Sequence, residues 1–310
     1  MAPIDPHSAE YKQAIEQWHE QRNEFMRKEW LNIAGLFWLE HSTKYRIGKD
    51  PSINDLELSG ATTPAHLGVL ERTAHDLVNF TLDPQAVTSK PGDWAIRINS
   101  VSMTPGETIA LTPDGNEKGL PASVVAYDTV SWYPIKRGER VGIRVKDDEN
   151  PAIKEFKGIK YSPIKPEYVV CGKWHTLREG EHKLKISDML GGVRETSASG
   201  YLAFKLPESD GPEYRLYVEG SPDKELFILF RDGTSGKTTY GSGRFLRVPA
   251  PDADNNVQID FNKAFNPPCA YTSFATCPLP PGDNWLHVQA QKAGKGKGMV
   301  DAGELADPSH

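Results

Sequence analysis

The chain has 310 residues, long enough to bury roughly three quarters of its unfolded surface, in one large domain or two smaller ones. A quarter of the residues are charged, but the formal net charge is only −6 and the pI is near 5.9. A nucleic-acid binder needs a concentrated basic face, and this balance argues against one.

No apolar run approaches the ~20 residues of a bilayer span. The opening Met1-Ala-Pro-Ile-Asp-Pro-His7 has neither the basic nor the apolar region of a secretory signal. Three cysteines do not make a disulfide framework. The expectation is a cytoplasmic protein that binds neither membrane nor nucleic acid.

In chain order, Ser8 can cap a helix, and Tyr11, Ile15, Trp18, Arg22, Phe25 and Met26 then fall on one helical stripe. Ala34-Gly-Leu-Phe-Trp-Leu39 follows as a dense apolar segment, too short for a helix of its own. From Tyr45 the pattern changes to short runs broken by Gly, Pro, Asn and Asp. Strands are predicted at Leu77–Leu82, Trp94–Ile98, Ser123–Tyr133, Val141–Val145, Tyr168–Cys171, His182–Ile186, Tyr201–Leu206, Tyr214–Val218 and Leu226–Phe230, several with the alternation of a half-buried strand. With 27 Gly and 24 Pro spread along the chain, this is the punctuation of a mainly β protein, an antiparallel sandwich or barrel with one N-terminal amphipathic helix. The expected division is a helical segment 1–34, a β-sandwich 35–150, a β-meander 151–292 and a disordered, Gly- and Lys-rich tail 293–310. The Lys-rich stretch Lys292–Lys297 is read as part of that solvated tail.

Chemistry-bearing residues concentrate between Thr234 and Asn284. Gly233-Thr-Ser-Gly-Lys-Thr238 ends like a phosphate-binding loop, but that loop needs four residues between its first glycine and its Gly-Lys-Ser/Thr, and only two separate Gly233 from Gly236. The run reads instead as a hairpin leading into a strand, leaving Tyr240 and Arg244 among Gly241 and Gly243. Val257 to Asn284 holds five prolines and three asparagines among aromatics, so its backbone is locked. Asn262 and Asn266 stand four apart, which suits one turn pointing both amides the same way. Cys269 and Cys277 admit several roles: structural thiols, a disulfide or redox pair, a nucleophile with His175 or His287 as base, or a zinc site, for which the seven-residue spacing is unusual. Farther upstream, alternation puts Arg140 and Arg144 on one strand face, able to clamp an anion or to pair with Asp147, Asp148 or Glu149. Asp188, Glu195 and Asp260 are the acidic candidates for proton transfer.

Two resemblances follow from these residues. Arg46-Ile-Gly-Lys-Asp-Pro-Ser-Ile-Asn-Asp-Leu-Glu-Leu58, with Asn99 to Gly106, resembles the forkhead-associated fold, without the arginine a phosphothreonine loop wants at Ala65-His66-Leu67. Gly35-Leu-Phe-Trp-Leu39, Thr239-Tyr-Gly-Ser-Gly-Arg-Phe-Leu246, Asp260-Phe-Asn-Lys-Ala-Phe-Asn-Pro-Pro-Cys269 and Cys277-Pro-Leu-Pro-Pro281 with Asn284 resemble the signature segments of domain-of-unknown-function family 1684. That family implies no activity. Many of its members end in an Ala-Gly-Glu-Lys-type segment, where this chain is read as having Gln289-Ala-Gln-Lys-Ala293.

The functional expectation is a pocket between two β subdomains for a small polar or anionic molecule, lined by Arg144, Tyr240, Arg244, Asp260, Asn262, Asn266 and Asn284. Arg244, Tyr240, Asn262, Asn266 and Cys269 are the catalytic candidates for a hydrolase or isomerase working without cofactor or metal. A non-catalytic protein-interaction module is the alternative, and a thiol-dependent enzyme the third reading. The sequence sets no oligomeric state.

Overall fold

The computed structural model describes residues 5–73, 76–86, 96–208 and 210–307. Trp94 and Ala95 of the expected strand Trp94–Ile98, and residues 308–310 of the tail, lie outside them. The protein is mostly β, with several antiparallel sheets, an N-terminal helix and no closed barrel. Among the described residues no helix is long and apolar enough to cross a membrane. The chain divides into two compact units: Met1–Phe25 with Lys157–His310, and Met26–Phe156.

Helix α1 (Ala9–Phe25) starts where Ser8 predicts it, with the Ser8 hydroxyl accepting from the Tyr11 amide at 3.1 Å. Tyr11, Ile15 and Arg22 are its buried face. The helix is no separate segment. The Tyr11 hydroxyl donates to Asp260 at 2.9 Å and the Arg22 guanidinium to Glu304 at 3.0 Å, which ties α1 into the unit formed by residues 157–310.

The inserted unit holds β1 (Ile33–Leu39), β2 (Lys44–Gly48), β3 (Leu56–Glu57), β4 (Gly68–Arg72), β5 (Val78–Leu82), β6 (Arg97–Ile98), β7 (Val101–Ser102), β8 (Thr108–Leu111), β9 (Val125–Tyr127), β10 (Val130–Arg137), β11 (Arg140–Asp147) and the short α2 (Pro151–Glu155). One sheet runs β1-β11-β10-β9-β6-β7 and the other β3-β2-β4-β5-β8. Their inner residues form one core, in which Phe80 of β5 meets Trp132 of β10 edge-to-face at 4.7 Å. All pairs are antiparallel except β2 with β3. The expected single strand Ser123–Tyr133 is two strands joined by a tight turn. Tyr127 pairs with Val130, and Asp128 takes a positive φ of 53°, which a two-residue hairpin requires and Asp tolerates.

The other unit carries β12 (Val169–Thr176), β13 (Lys183–Ser187), β14 (Val193–Ser197), β15 (Gly200–Phe204), β16 (Tyr214–Val218), β17 (Leu226–Phe230), β18 (Arg244–Val248), β19 (Asn256–Asp260) and α3 (Leu286–Ala293). This is not one meander. A four-stranded sheet β16-β15-β12-β19 stands beside two hairpins, β13-β14 and β17-β18. Its core gathers Trp174, Leu202, Leu216, Ile228, Leu246, Ile259 and Phe261 with residues of α3 and the chain's end. The sequence reading missed α3, whose end is marked by Gly294 in the left-handed conformation, the usual helix stop.

Within the stretch expected to be disordered, the part around residues 298–304 is packed. Val300, Ala302 and Glu304 are fully buried, the Glu304 amide donates to Ala264 O at 2.9 Å and the Ser162 amide to Gly303 O at 2.9 Å. Gly303 (φ +82°) permits this approach, because a Cβ there would stand 2.5 Å from the Ala264 carbonyl oxygen. Low-complexity composition hid one apolar-plus-glutamate anchor at its far end.

Candidate anion-binding cleft

The residues expected to line a ligand pocket are mostly buried ties between segments. Arg244, the first residue of β18, is wholly buried. Its guanidinium pairs with Asp232 at 2.9 Å and donates to the carbonyls of Val300, at 2.7 Å, and Ala302. It also lies over the Phe230 ring at 5.3 Å. A buried Arg is held this way because its donors need partners in the absence of water.

The asparagines are engaged likewise. Asn262 accepts from the Lys165 amide at 2.8 Å and donates to Lys165 O at 2.9 Å and to the Tyr11 hydroxyl at 3.0 Å. Asp260 caps the same turn through the Asn262 amide at 3.1 Å, and burial pushes its carboxyl up against the opposing charge of Lys263. Asn266 donates to Leu305 O at 2.8 Å, and its amide to Glu304 at 2.8 Å. Asn284 presents its side-chain amide to β16 as a strand would. It accepts from the Tyr217 amide at 2.7 Å and donates to Tyr217 O and Leu229 O at 2.9 Å each.

Tyr240 is half-buried, with its hydroxyl 3.2 Å from Cys269 O; burial foremost pushes that hydroxyl up to about 12. Arg144 sits on β11 in the other unit. The structure thus gathers six of the seven into one unit but spends Arg244 and the three asparagines on holding it together. Among the described residues no group of three or more His, Cys, Asp or Glu side chains could hold a metal ion.

A wholly buried glutamate, Glu304, ends the segment Asp301-Ala-Gly-Glu304. Its side chain takes Arg22 at 3.0 Å, the Asn266 amide at 2.8 Å and the Tyr271 hydroxyl at 2.8 Å. Burial raises its carboxyl, and the Arg22 charge opposes that rise. Tyr271 is pushed up in turn, by burial first and then by Glu304.

An open cleft of about 450 Å³ lies beside this scaffold, lined by Arg231, Asp232, Gly233, Ser235, Lys237, His287, Gln291, Gly296, Lys297 and Met299. Three segments build it. Arg231 follows β17 directly, and its backbone is clamped to the start of α3, with its amide donating to Asn284 O at 3.1 Å and its carbonyl accepting from Leu286 at 2.8 Å. That brings His287 alongside. The Gly233 amide donates to Gly298 O at 2.8 Å, which lays Lys297 along the loop 232–239. Gly298 (φ +56°) makes this possible, since a Cβ would come within 2.4 Å of the Leu286 backbone.

Arg231 stacks over the Trp285 ring at 5.0 Å, and His287 stacks on the same tryptophan at 5.8 Å. The aromatic ring orders both side chains. The cleft carries Arg231, Lys237 and Lys297 against Asp232, whose own charge is matched by Arg244 behind it. Arg231 Nε and His287 Nδ1 are buried and have no hydrogen-bond partner in the protein. Burial, then the Arg231 charge, hold the His287 imidazole below its ordinary range, with Lys237 adding and Asp232 opposing. Its ring is therefore neutral near pH 7 and able to take a proton.

Sequence reasoning missed Arg231, Lys237 and Lys297 as site members and named His287 only as a possible base for a cysteine nucleophile. Lys297 is assigned there to a solvated tail, and Lys237 lies within the run Gly233–Thr238 set aside because it fails the phosphate-loop pattern, with Arg231 just ahead of it.

Residues 154–295 match the family model described as Protein of unknown function (DUF1684), the family that the signature segments resemble. The match includes Arg231, Lys237 and His287 and leaves the forkhead-like stretch 46–106 outside it. Among solved structures, an uncharacterized protein of Haloarcula marismortui determined by solution NMR is 29% identical, with 51% of this chain and 80% of that chain covered and a TM-score of 0.37. No curated protein matches the chain.

Proposed function

We propose that the cleft between the 231–237 loop, α3 and Lys297 binds the phosphate or carboxylate group of a small molecule. One observation carries this reading: Arg231, Lys237, Lys297 and His287 converge from separate stretches of sequence on one cleft, where the Arg231 Nε donor and His287 Nδ1 are buried without protein partners. Buried polar atoms of that kind are costly unless a ligand or solvent completes them, and an Arg fork with flanking lysines suits a compact anion. The volume of about 450 Å³ lies in the range of small-molecule sites. Hydrolysis or isomerisation of the bound molecule would fall to His287, whose neutral ring can accept a proton.

The test is titration of the full chain with inorganic phosphate and, in parallel, with succinate, followed by heat and by the His287 ring resonances. Saturable binding is expected for one of them, with the His287 pKa rising as the anion offsets the Arg231 and Lys237 charges. Arg231→Ala and Lys297→Ala should each weaken it by roughly tenfold or more, since a charge-assisted hydrogen bond is worth about 1.5–3 kcal/mol. Absence of saturation by both anions at millimolar concentration overturns the reading. So does binding that neither folded variant weakens.

A further inference from the structure

Outside the cleft, the strongest unassigned chemistry is the thiol pair in the proline-locked segment. Cys269 sits in a short 3-10 turn, Pro268–Ala270, that follows Pro267, and Cys277 is followed by Pro278. The Cys269 amide donates to Cys277 Sγ at 3.1 Å, which brings the Cys277 sulfur up against the Cys269 backbone. The Cys277 carbonyl accepts from the Met189 amide at 3.2 Å, which anchors the backbone of that residue. The two are not joined by a disulfide here; Cys269 is half-buried and Cys277 buried. Cys171, the remaining cysteine, is exposed on β12, and its sulfur is 3.9 Å from the neighbouring Gly172 carbonyl.

The asymmetry of the pair assigns roles. Cys269 has the more accessible sulfur, with the Tyr240 hydroxyl 3.7 Å from it. The hydrogen bond from Cys277, with Tyr240 adding, holds its thiol below the ordinary range against the effect of burial. Thiolate character and access are what select a cysteine for oxidation. Cys277 is shielded, and the Cys269 amide points at its sulfur, a donor that favours its thiolate when it acts second.

We propose that Cys269 and Cys277 form a peroxide-responsive dithiol, with Cys269 as the attacking sulfur and Cys277 as the resolving one. The Cys269 thiolate displaces hydroxide from hydrogen peroxide and becomes a sulfenic acid; the hydroxide leaves as water after taking a proton. The Cys277 sulfur then attacks the Cys269 sulfur, an S–S bond forms, and the sulfenic oxygen departs as a second water. The two thiols are oxidised by two electrons and one peroxide is reduced to two waters. The proposal is independent of the anion cleft.

The experiment treats the full chain with a small excess of hydrogen peroxide, then quenches it. Thiols titrated after unfolding should fall from three to one, the intact mass should drop by two hydrogens, and a peptide map should join Cys269 to Cys277. Dithiothreitol should restore all three. In Cys277→Ser the reaction should stop at Cys269 sulfenic acid, trapped by dimedone on that residue. The wild-type mass and map decide the matter even where the serine variant fails to fold. Retention of three thiols, an added oxygen without a cross-link, or a cross-link through Cys171 would each overturn the proposal.

Discussion

Replacing Glu304 by alanine removes the acceptor of three buried groups at once: the Arg22 guanidinium, the Asn266 amide and the Tyr271 hydroxyl. The Glu304 side chain is 0% exposed and that of Arg22 only 10%, so the variant leaves a cation out of water with its counter-charge deleted. Breaking a buried ion pair from one side costs about 3–5 kcal/mol, against a total stability of order 5–15 kcal/mol for a natural domain. The two bonds from Asn266 and Tyr271 lie inside that figure and are not added to it, because contributions within one network are not additive. Glu304→Gln keeps one acceptor oxygen but sets an NH2 donor where the other carboxylate oxygen accepted, so it restores only part of the network and should cost less than the alanine. Urea unfolding followed by tryptophan fluorescence measures both, and a double-mutant cycle with Arg22→Met isolates the pair. The expected coupling is at least about 1 kcal/mol, so that the double variant loses less than the two single losses combined. A loss under about 1 kcal/mol for Glu304→Ala, or single losses that simply add, refutes the assignment of Glu304 as the tie between α1 and the Asp260–Asn284 segment.

Arg244→Met should destabilise by about 3–5 kcal/mol through the orphaned Asp232, read in the same urea experiment; a near-neutral result would return Arg244 to the list of ligand groups. Asn284→Ala breaks three hydrogen bonds at a site 1% exposed and should cost about 2–4 kcal/mol, with amide exchange at Tyr217 rising in parallel. Truncation after Ala293 should abolish cooperative unfolding by removing Val300, Ala302 and Glu304, whereas a solvated tail could be cut without effect. Burial lowers the His19 pKa from 6.5 to about 4 where its ring stacks on Tyr161. The unfolded chain therefore binds the extra proton, and the stability contribution is intact above pH 6.5 and drains away as pH falls towards about 4. His19→Gln should flatten the urea midpoint over that window, and an unchanged slope would count against the burial.

The strands were legible because their alternation is local: Tyr214-Arg-Leu-Tyr-Val218 buries Tyr214, Leu216 and Val218 as written. The β9–β10 turn was not, since Asp128-Thr129 lacks the glycine that usually announces such a hairpin. The proline-rich segment stood out correctly as special, but Asn262, Asn266 and Asn284 are special because an irregular backbone needs side-chain amides as partners. That demand leaves the same residue signature as a ligand site. The cleft escaped notice for a different reason. Its cations lie at 231, 237 and 297, and no local spacing reports that Gly233 will pair with Gly298.

The ion pair between Arg22 and Glu304 spans a sequence separation of 282, and this sets an order of events during synthesis. At ribosomal speeds α1 emerges on the order of tens of seconds before its counter-ion exists. In that interval the strands of residues 26–156 can find every sheet partner they use among themselves. The nascent helix cannot: its Tyr11 waits for Asp260 and Asn262, and its Arg22 for Glu304. Helix α1 thus precedes the strands of residues 26–156 in synthesis, yet its Arg22 gains its counter-charge only after all of them are made.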